Sequence, residues 1–182
     1  GLTKQIALFA TVHSLIVPPV YAAKALTTLD HASRGRAGLN IVCGWNQPEF
    51  DMFGVTKPDN VYEQGQEWFE ILTRTLTGGA PFDYQGKYFD LKGVEGGPTS
   101  IQQPHPVTLS AAFSPSGRDF AANNCDCIFT VFNDYDDARK TITDFQARAD
   151  KAGRKAGLYA PVQLVCRPSN AEAEDYYEDY AV

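Results

Sequence analysis

The stretch that decides the fold is Gly35–Gly54, with the sequence GRAGLNIVCGWNQPEFDMFG. Its central apolar run, Leu39–Cys43, contains a single amide side chain, Asn40, and is bounded by glycines. A short run of mostly β-branched and apolar residues between glycines predicts a buried strand. Alternation places Asn40 on one face and its apolar neighbours on the other. The pattern fits a core strand with one satisfied amide, and it fits equally a ligand site at the strand's carboxyl end, where α/β proteins bind ligands.

Hydrophobic spacing on both sides of this strand predicts five successive strand–helix units. Strands are expected at Gln5–Val12, Leu39–Cys43, Val107–Ala112, Cys127–Val131 and Tyr159–Cys166. Helices are expected at about 19–33, 60–77, 115–123, 133–151 and from Ser169, the expected cap, to the C-terminus. Asn60 and Glu63 have the spacing of a capping box at the start of the second of these helices, and Ser114 is the expected cap of the third. The alternation of aromatic and polar residues over Phe82–Leu91 predicts a small hairpin insertion, and residues 44–59 are expected to form a loop.

Strands separated by helices imply right-handed crossovers and a parallel sheet, so the fold class is α/β. Two closures fit this pattern, an open doubly wound sheet and part of a (β/α)8 barrel. A full barrel needs eight units and about 250 residues. Five units in 182 residues therefore fit the barrel only if pieces are missing. Without a linker or a shift in composition, residues 1–182 are expected to form a single domain.

Composition excludes several classes of protein. The formal net charge is −6 and there is no basic run, which argues against a nucleic-acid partner. No stretch reaches the ~20 apolar residues of a membrane span, and the apolar start of the chain is too interrupted for a secretory signal. The three histidines are scattered and no Cys-x-x-Cys occurs, so neither a metal site nor a disulfide framework is expected. Cysteines in apolar runs (Cys43, Cys127 and Cys166) predict buried free thiols in a reducing cytoplasm.

Three places could carry chemistry. The turn at Ser114–Gly117 joins a strand to a helix N-terminus, an arrangement that favours anions, and Arg118 adds a cation. The loop after the central strand offers the flat face of Trp45 and several hydrogen-bonding groups, and His13 follows the first strand. The alternatives are an ordinary capped helix, a packed tryptophan and a structural histidine. The tyrosines of the last helix (Tyr176, Tyr177 and Tyr180) are expected to pack a helix face.

A series of motifs in the same order covers nearly the whole chain. They are Thr11-Val12-His13, Pro18-Pro19, Thr28-Leu29-Asp30, Gly35–Trp45, Pro48-Glu49-Phe50, Glu67-Trp68, Gly86–Phe89, Gln103-Pro104, Ser114–Arg118, Phe120-Ala121-Ala122 and Cys166-Arg167-Pro168. On these motifs the chain resembles the bacterial luciferase-like FMN-dependent monooxygenases, particularly the pyrimidine and dimethyl-sulfone monooxygenase branches. The family fold is a (β/α)8 TIM-type barrel with FMN at the carboxyl ends of its strands. The resemblance implies a partial barrel of about five units, incomplete at both ends.

The resemblance also implies roles for individual residues. Asn40 and Glu49 match family residues of the flavin site, and Ser114 matches the serine that holds the FMN phosphate. A family Arg-Tyr pair falls on Val61-Tyr62, so Tyr62 matches while Val61 cannot replace the charge of the arginine. His13 and Trp45 would lie near the flavin ring as catalytic groups on the substrate side. No metal is implied.

The implied activity is that of a two-component enzyme. A separate flavin reductase supplies FMNH2, and the enzyme uses it with O2 to oxidise a small organic substrate. A homo-oligomer is expected. Two alternatives remain open, a flavin-binding fragment or homologue without activity and a deazaflavin-dependent oxidoreductase of the same superfamily.

Overall fold

The computed structural model describes residues 3–162 and 164–180 of the chain. In chain order the elements are β1 (Leu8–His13), α1 (Pro19–Ser33), β2 (Ala37–Val42), α2 (Gln47–Met52), α3 (Val61–Thr77), β3 (Phe82–Gln85), β4 (Asp90–Val94), β5 (Thr108–Ala111), α4 (Pro115–Asn124), β6 (Cys127–Phe129), α5 (Tyr135–Lys151), β7 (Gly157–Tyr159) and α6 (Asn170–Tyr180). None of the helices in the described part of the chain is long and apolar enough to cross a membrane.

The main sheet is parallel, and its spatial order β1-β2-β5-β6-β7 follows the order of the chain. Each right-handed crossover therefore moves on by one strand in the same direction, which leaves the helices on one face and the other face open. A doubly wound sheet reverses its strand order and carries helices on both faces. The structure thus confirms the predicted barrel-type succession of five strands, with the hairpin β3–β4 as an antiparallel insertion.

The two faces of β2 differ as the alternation predicts. Leu39, Ile41 and Cys43 are buried in the larger apolar cluster together with side chains from α1 and α3. Asn40 points to the open face, where its Nδ2 donates to Thr11 Oγ1 of β1 at 3.2 Å. Gly65 of α3 permits the close approach of helix and strand, because a Cβ there would lie 2.7 Å from Cys43 Sγ.

Helical spacing of apolar residues builds the core. In α3 the fully buried residues Trp68, Leu72 and Leu76 recur every four positions and pack on β2. A second cluster forms where α4 and α5 cover β6, around Ile128 and Phe145. Fully burying side chains of this size stabilises the fold by about 1.5–3 kcal/mol each.

The predicted helix caps are present. Asn60 Oδ1 accepts from the backbone N–H groups of Tyr62 at 3.1 Å and Glu63 at 3.2 Å, so α3 begins where the sequence indicates. The Glu63 carboxylate, expected to complete a capping box, accepts instead from Lys87 Nζ at 2.8 Å and Tyr88 Oη at 3.0 Å. The hairpin turn therefore contacts the first turn of α3.

Two predicted segments were wrong. Part of the expected loop 44–59 forms the short helix α2, which Pro48 at its start and Glu49 in its first turn both favour. The last strand was expected at Tyr159–Cys166, but β7 spans only Gly157–Tyr159. Pro161 cannot donate to a ladder, and the described residues beyond it are mostly exposed, so the apolar run there is not a core strand. Gln163 lies outside the described residues.

The expectations for the cysteines and the last tyrosines also need correction. Cys166 is exposed and Cys127 is half-buried, whereas Cys125, which the apolar pattern did not select, is buried beside Cys43 in the larger cluster. No described residue of α6 is buried, so its tyrosines do not pack a helix face against the core. Instead the Arg167 guanidinium lies 3.6 Å from the centre of the Tyr176 ring.

Candidate active site at the carboxyl ends of the strands

A cavity of about 440 Å³ opens between the carboxyl ends of β2 and β5. Its lining residues are Val42, Cys43, Gly44, Trp45, Tyr62, Ala111, Phe113 and Ser114. Most of this wall is apolar, and its side-chain oxygen atoms belong to the two hydroxyls of Tyr62 and Ser114. Burial raises the pKa of the Cys43 thiol to about 12, so this cysteine stays protonated and is not a nucleophile at neutral pH.

The two hydroxyls form one hydrogen-bonded group at the start of α4. Ser114 is the N-cap, and its Oγ accepts from Gly117 N–H at 3.1 Å. Tyr62 Oη lies 3.1 Å from the same Oγ, which joins the start of α3 to the start of α4. A Cβ on Gly117 would lie 2.7 Å from Tyr62 Oη, so the glycine makes room for this contact.

The two hydroxyls keep one donor for a ligand. Ser114 Oγ already accepts the Gly117 N–H, and one of the two hydroxyl protons is used in the bond between Tyr62 and Ser114. The other hydroxyl proton remains available, whichever residue donates in the pair. A free O–H donor beside a helix N-terminus suits an anionic oxygen.

Arg118 does not reach into this turn. Its Nη1 lies 3.3 Å from Asp144 Oδ2 on α5. Arg148 Nε donates to the same oxygen at 3.0 Å, and its Nη1 donates to Asp119 Oδ1 at 2.5 Å. Arg148 and, to a smaller extent, Arg118 hold the pKa of Asp144 below its usual range. The cation that the sequence suggested for the anion turn is therefore paired with Asp144 of α5, and its Nε is buried without a hydrogen-bond partner among the described residues. Arg148 Nη1 also donates to the carbonyl of Pro115 at 3.4 Å.

His13 and Glu49 come together at the end of β1. His13 Nδ1 lies 3.4 Å from Glu49 Oε2, and the imidazole meets the Phe50 ring edge-on with centroids 5.9 Å apart. The angles at this contact do not make a hydrogen bond, so Nδ1 is buried without a hydrogen-bond partner among the described residues. Asn46 Nδ2 donates to the same Glu49 oxygen at 3.4 Å. The two side chains are thus close to each other without a hydrogen bond between them, which leaves both groups available to a ligand.

Asn40 presents a second buried polar atom without a partner. Its Nδ2 is used by Thr11, but its Oδ1 has no hydrogen-bond partner in the described part of the chain. Such an atom costs about 1–3 kcal/mol and calls for an explanation in a native fold. On the open face of β2, two residues before the cavity wall at Val42, this oxygen is free to accept a hydrogen bond from a ligand.

The structure places the sequence-predicted residues at three neighbouring positions. Trp45, Tyr62 and Ser114 line the cavity, with Trp45 76% exposed at its mouth. His13 and Glu49 pair beside the neighbouring strand, and Asn40 lies on the open face of β2. Sequence reasoning missed the apolar wall formed by Val42, Ala111 and Phe113 and the close packing at Gly117. Alternation along β2 and β5 could have selected Val42 and Ala111, because both lie at the strand ends on the open face.

Comparisons with known proteins agree with this architecture. The family model described as luciferase-like monooxygenase matches residues 1–182. The pyrimidine monooxygenase RutA of Cronobacter turicensis is 31% identical over 187 aligned residues, which cover 99% of this chain and 49% of that protein. The chain therefore spans about half the length of the curated relatives it matches.

Solved structures share the same fold. DmoA from Hyphomicrobium sulfonivorans superposes with a TM-score of 0.90 at 25% identity, over 98% of this chain and 44% of DmoA. The riboflavin lyase RcaE, solved with modified FMN and riboflavin, gives a TM-score of 0.88 at 26% identity, over 97% of this chain and 45% of RcaE.

Proposed function

The chain belongs to the luciferase-like monooxygenase family, and from this premise we propose that it carries the flavin site of an FMN-dependent monooxygenase that oxidises a small organic molecule with O2. The observation that carries the proposal is the cavity itself. Apolar walls suited to a flat ring system lead to two hydroxyls and a helix N-terminus suited to a phosphate.

The residues present fit FMN in their chemistry. Ser114 and Tyr62 would hold the phosphate together with the free amides of the first turn of α4. Asn40, whose Oδ1 is buried without a partner among the described residues, and Glu49 offer acceptors for N–H groups of a flavin ring. The structure of RcaE supports this assignment, because RcaE has a similar fold and was solved with modified FMN.

When bound, reduced flavin supplies the electrons for the reaction with O2, and the protein supplies binding, orientation and shelter from water. Val42, Ala111 and Phe113 form the apolar wall that keeps water away from the reacting groups. His13 and Trp45 would act on the substrate side. His13 Nδ1 lies close enough to the Glu49 carboxylate for the pair to hold a proton between them when the side chains tighten around a ligand.

The remaining parts of the proposal concern partners and location. A separate reductase would supply reduced FMN, and the protein would work as a homo-oligomer in the cytoplasm. The two edge strands of the sheet expose apolar side chains, Leu8 of β1 at 63% and Tyr159 of β7 at 52%, and these are the edges at which the resemblance places the other strands of the barrel.

Substitution of Ser114 tests the proposed phosphate site. Ser114→Ala removes a hydrogen bond to a charged group, worth about 1.5–3 kcal/mol, so FMN should bind roughly ten- to a hundredfold more weakly. Riboflavin, which has no phosphate, should bind almost equally to both forms. Fluorescence quenching of both flavins measures the two dissociation constants.

The matched control is Ser116→Ala, which removes an exposed hydroxyl from the same helical turn without touching the cap. It should leave both flavins unchanged. Equal losses of FMN and riboflavin in Ser114→Ala would show that Ser114 supports the fold instead of the phosphate, and failure of the unsubstituted protein to bind FMN would contradict the proposed function itself.

A further inference from the structure

The charges around the cavity are arranged unusually for an anion site. None of the eight described residues that line the cavity carries a charge. The cation nearest in sequence to the turn, Arg118, is held by Asp144, and Arg148 is held by Asp144 and Asp119. These two arginines and two aspartates balance one another between α4 and α5, and Arg148 Nη1 also donates to the carbonyl of Pro115, in the first turn of α4, at 3.4 Å.

Near α3, the other helix that flanks the turn, the nearby cation is likewise paired with a carboxylate. Lys87 lies near the first turn of α3, but its Nζ is 2.8 Å from Glu63 Oε2, and the Glu63 hydrogen bond is the main cause of a raised Lys87 pKa. At the position that precedes Tyr62, Val61 packs against the larger apolar cluster. The three cations named here, Arg118, Arg148 and Lys87, are therefore each paired with carboxylates of the same chain, while the turn itself offers hydroxyl and amide donors.

We infer that this chain holds the flavin phosphate at a site without a cation, through the Tyr62–Ser114 pair, the amides of the first turn of α4 and the helix dipole. The inference rests on the proposed function and specifies how its cofactor is selected. Short hydrogen bonds act over a few ångströms, so dissolved salt screens them little, whereas an exposed ion pair weakens as the Debye length falls. Salt also screens the helix dipole, but its N-terminus carries only about half an elementary charge, so this loss is smaller than the loss of a full cation.

The sign of the salt dependence separates the two kinds of site. The protein has a net charge of −6, so its long-range field repels a phosphate, and added salt weakens that repulsion. Without a cation at the site, FMN affinity relative to riboflavin should therefore stay constant or rise with salt. With a cation at the site, the same ratio should fall.

The experiment measures dissociation constants of oxidised FMN and riboflavin for the unsubstituted protein at about 0.05 M and about 0.5 M NaCl, between which the Debye length falls roughly threefold. We expect the affinity ratio of FMN to riboflavin to fall by less than about a factor of 1.5 or to rise with salt. A fall of about threefold or more would mean that a cation reaches the phosphate and would overturn the inference.

A matched pair of variants tests the location. Ser116→Lys places a cation on an exposed position in the first turn of α4, and Asn123→Lys adds the same charge on an exposed position at the other end of that helix. Ser116→Lys should tighten FMN at low salt by about two- to fivefold without affecting riboflavin, and this gain should disappear at high salt. Asn123→Lys should change the FMN affinity by less than about a factor of 1.5.

The outcomes are distinguishable. Equal responses of the two lysine variants would place the phosphate away from this turn and overturn the inference. Absence of FMN binding to the unsubstituted protein would instead reject the proposed function. Thermal melting of each variant confirms that it is folded, and both substituted positions are exposed, so loss of folding is not expected.

Discussion

Two polar side chains from successive elements, Asp30 near the end of α1 and Asn40 in β2, illustrate opposite uses of burial. The Asp30 carboxylate is completely buried and accepts from Ile101 N–H at 2.6 Å, Gln102 N–H at 3.1 Å and Gln102 Nε2 at 2.7 Å. Gln102 Nε2 also donates to the carbonyl of Ala37 at 2.7 Å, which ties this network to the first residue of β2. Asn40, further along the same strand, keeps a buried oxygen without a partner in the described residues.

This difference in hydrogen bonding distinguishes residues that stabilise the fold from residues that are free to bind a ligand. At the amino end of the strand every carboxylate oxygen of Asp30 is satisfied by the protein, so this region fixes the irregular segment after the hairpin onto the sheet. Toward the carboxyl end Asn40 Oδ1 and His13 Nδ1 are buried without hydrogen-bond partners among the described residues. Barrel-type folds place binding at that end and stability at the other, and Asp30, Asn40 and His13 follow that division. Ser100 Oγ, beside the Asp30 network, is an exception, because it too is buried without a hydrogen-bond partner among the described residues.

The largest effect is expected from breaking the satisfied network. Asp30→Ala would leave three N–H donors without their acceptor in a buried site, so the free energy of unfolding should fall by about 3–5 kcal/mol. Urea denaturation measures this loss. Asp51→Ala, on the short helix α2 and exposed, is the control and should change stability by less than about 0.5 kcal/mol. A similar small change in Asp30→Ala would mean that water replaces the lost acceptor.

A smaller effect of a different kind is expected at Asn40. Asn40→Ala removes an oxygen that has no partner among the described residues and one hydrogen bond to the exposed Thr11. The free energy of unfolding should therefore change by less than about 1 kcal/mol. If Asn40 contacts the flavin ring, FMN and riboflavin should both bind about tenfold more weakly. This pattern differs from that of Ser114→Ala, which should affect FMN alone. A loss of stability as large as that of Asp30→Ala would assign Asn40 to the support of the fold.

The smallest effect concerns the charged cluster between α4 and α5. The Asp144 pKa is lowered from 3.8 mainly by the hydrogen bond from Arg148, so the folded state binds this proton less readily than the unfolded chain does. The resulting stability is present above that ordinary pKa and is lost as pH falls through the lowered value. Because Asp144 is 38% exposed, the contribution should be below about 1 kcal/mol.

This contribution is measured by comparing the free energy of unfolding of the unsubstituted protein with that of Asp144→Asn, at neutral and at acidic pH. The difference in free energy of unfolding between the two proteins should become smaller at acidic pH, because protonation of Asp144 removes the same charge as the substitution. A difference that is independent of pH would show that the carboxylate charge contributes nothing at this site.

The sequence by itself determined the features that depend on neighbouring residues. The face of β2 that carries Asn40, the caps at Asn60 and Ser114, and the succession of five strands are all present in the structure. Alternation and capping are set within a few residues by backbone geometry and local hydrogen bonds, so they can be read from the chain alone. The series of motifs likewise identified the family that the comparisons show.

Only the tertiary structure decided which distant side chains meet. The Tyr62–Ser114 hydrogen bond joins residues 52 positions apart, and the His13–Glu49 contact depends on β1 lying beside β2 and on the short helix α2. The direction of Arg118, toward Asp144 and away from the turn, follows from the packing of α5 against α4. The early end of β7 was likewise set by its pairing with β6, which stops at Tyr159 although the apolar run continues. Strand register and helix packing fix these contacts, and neither is encoded within the short windows in which sequence patterns operate.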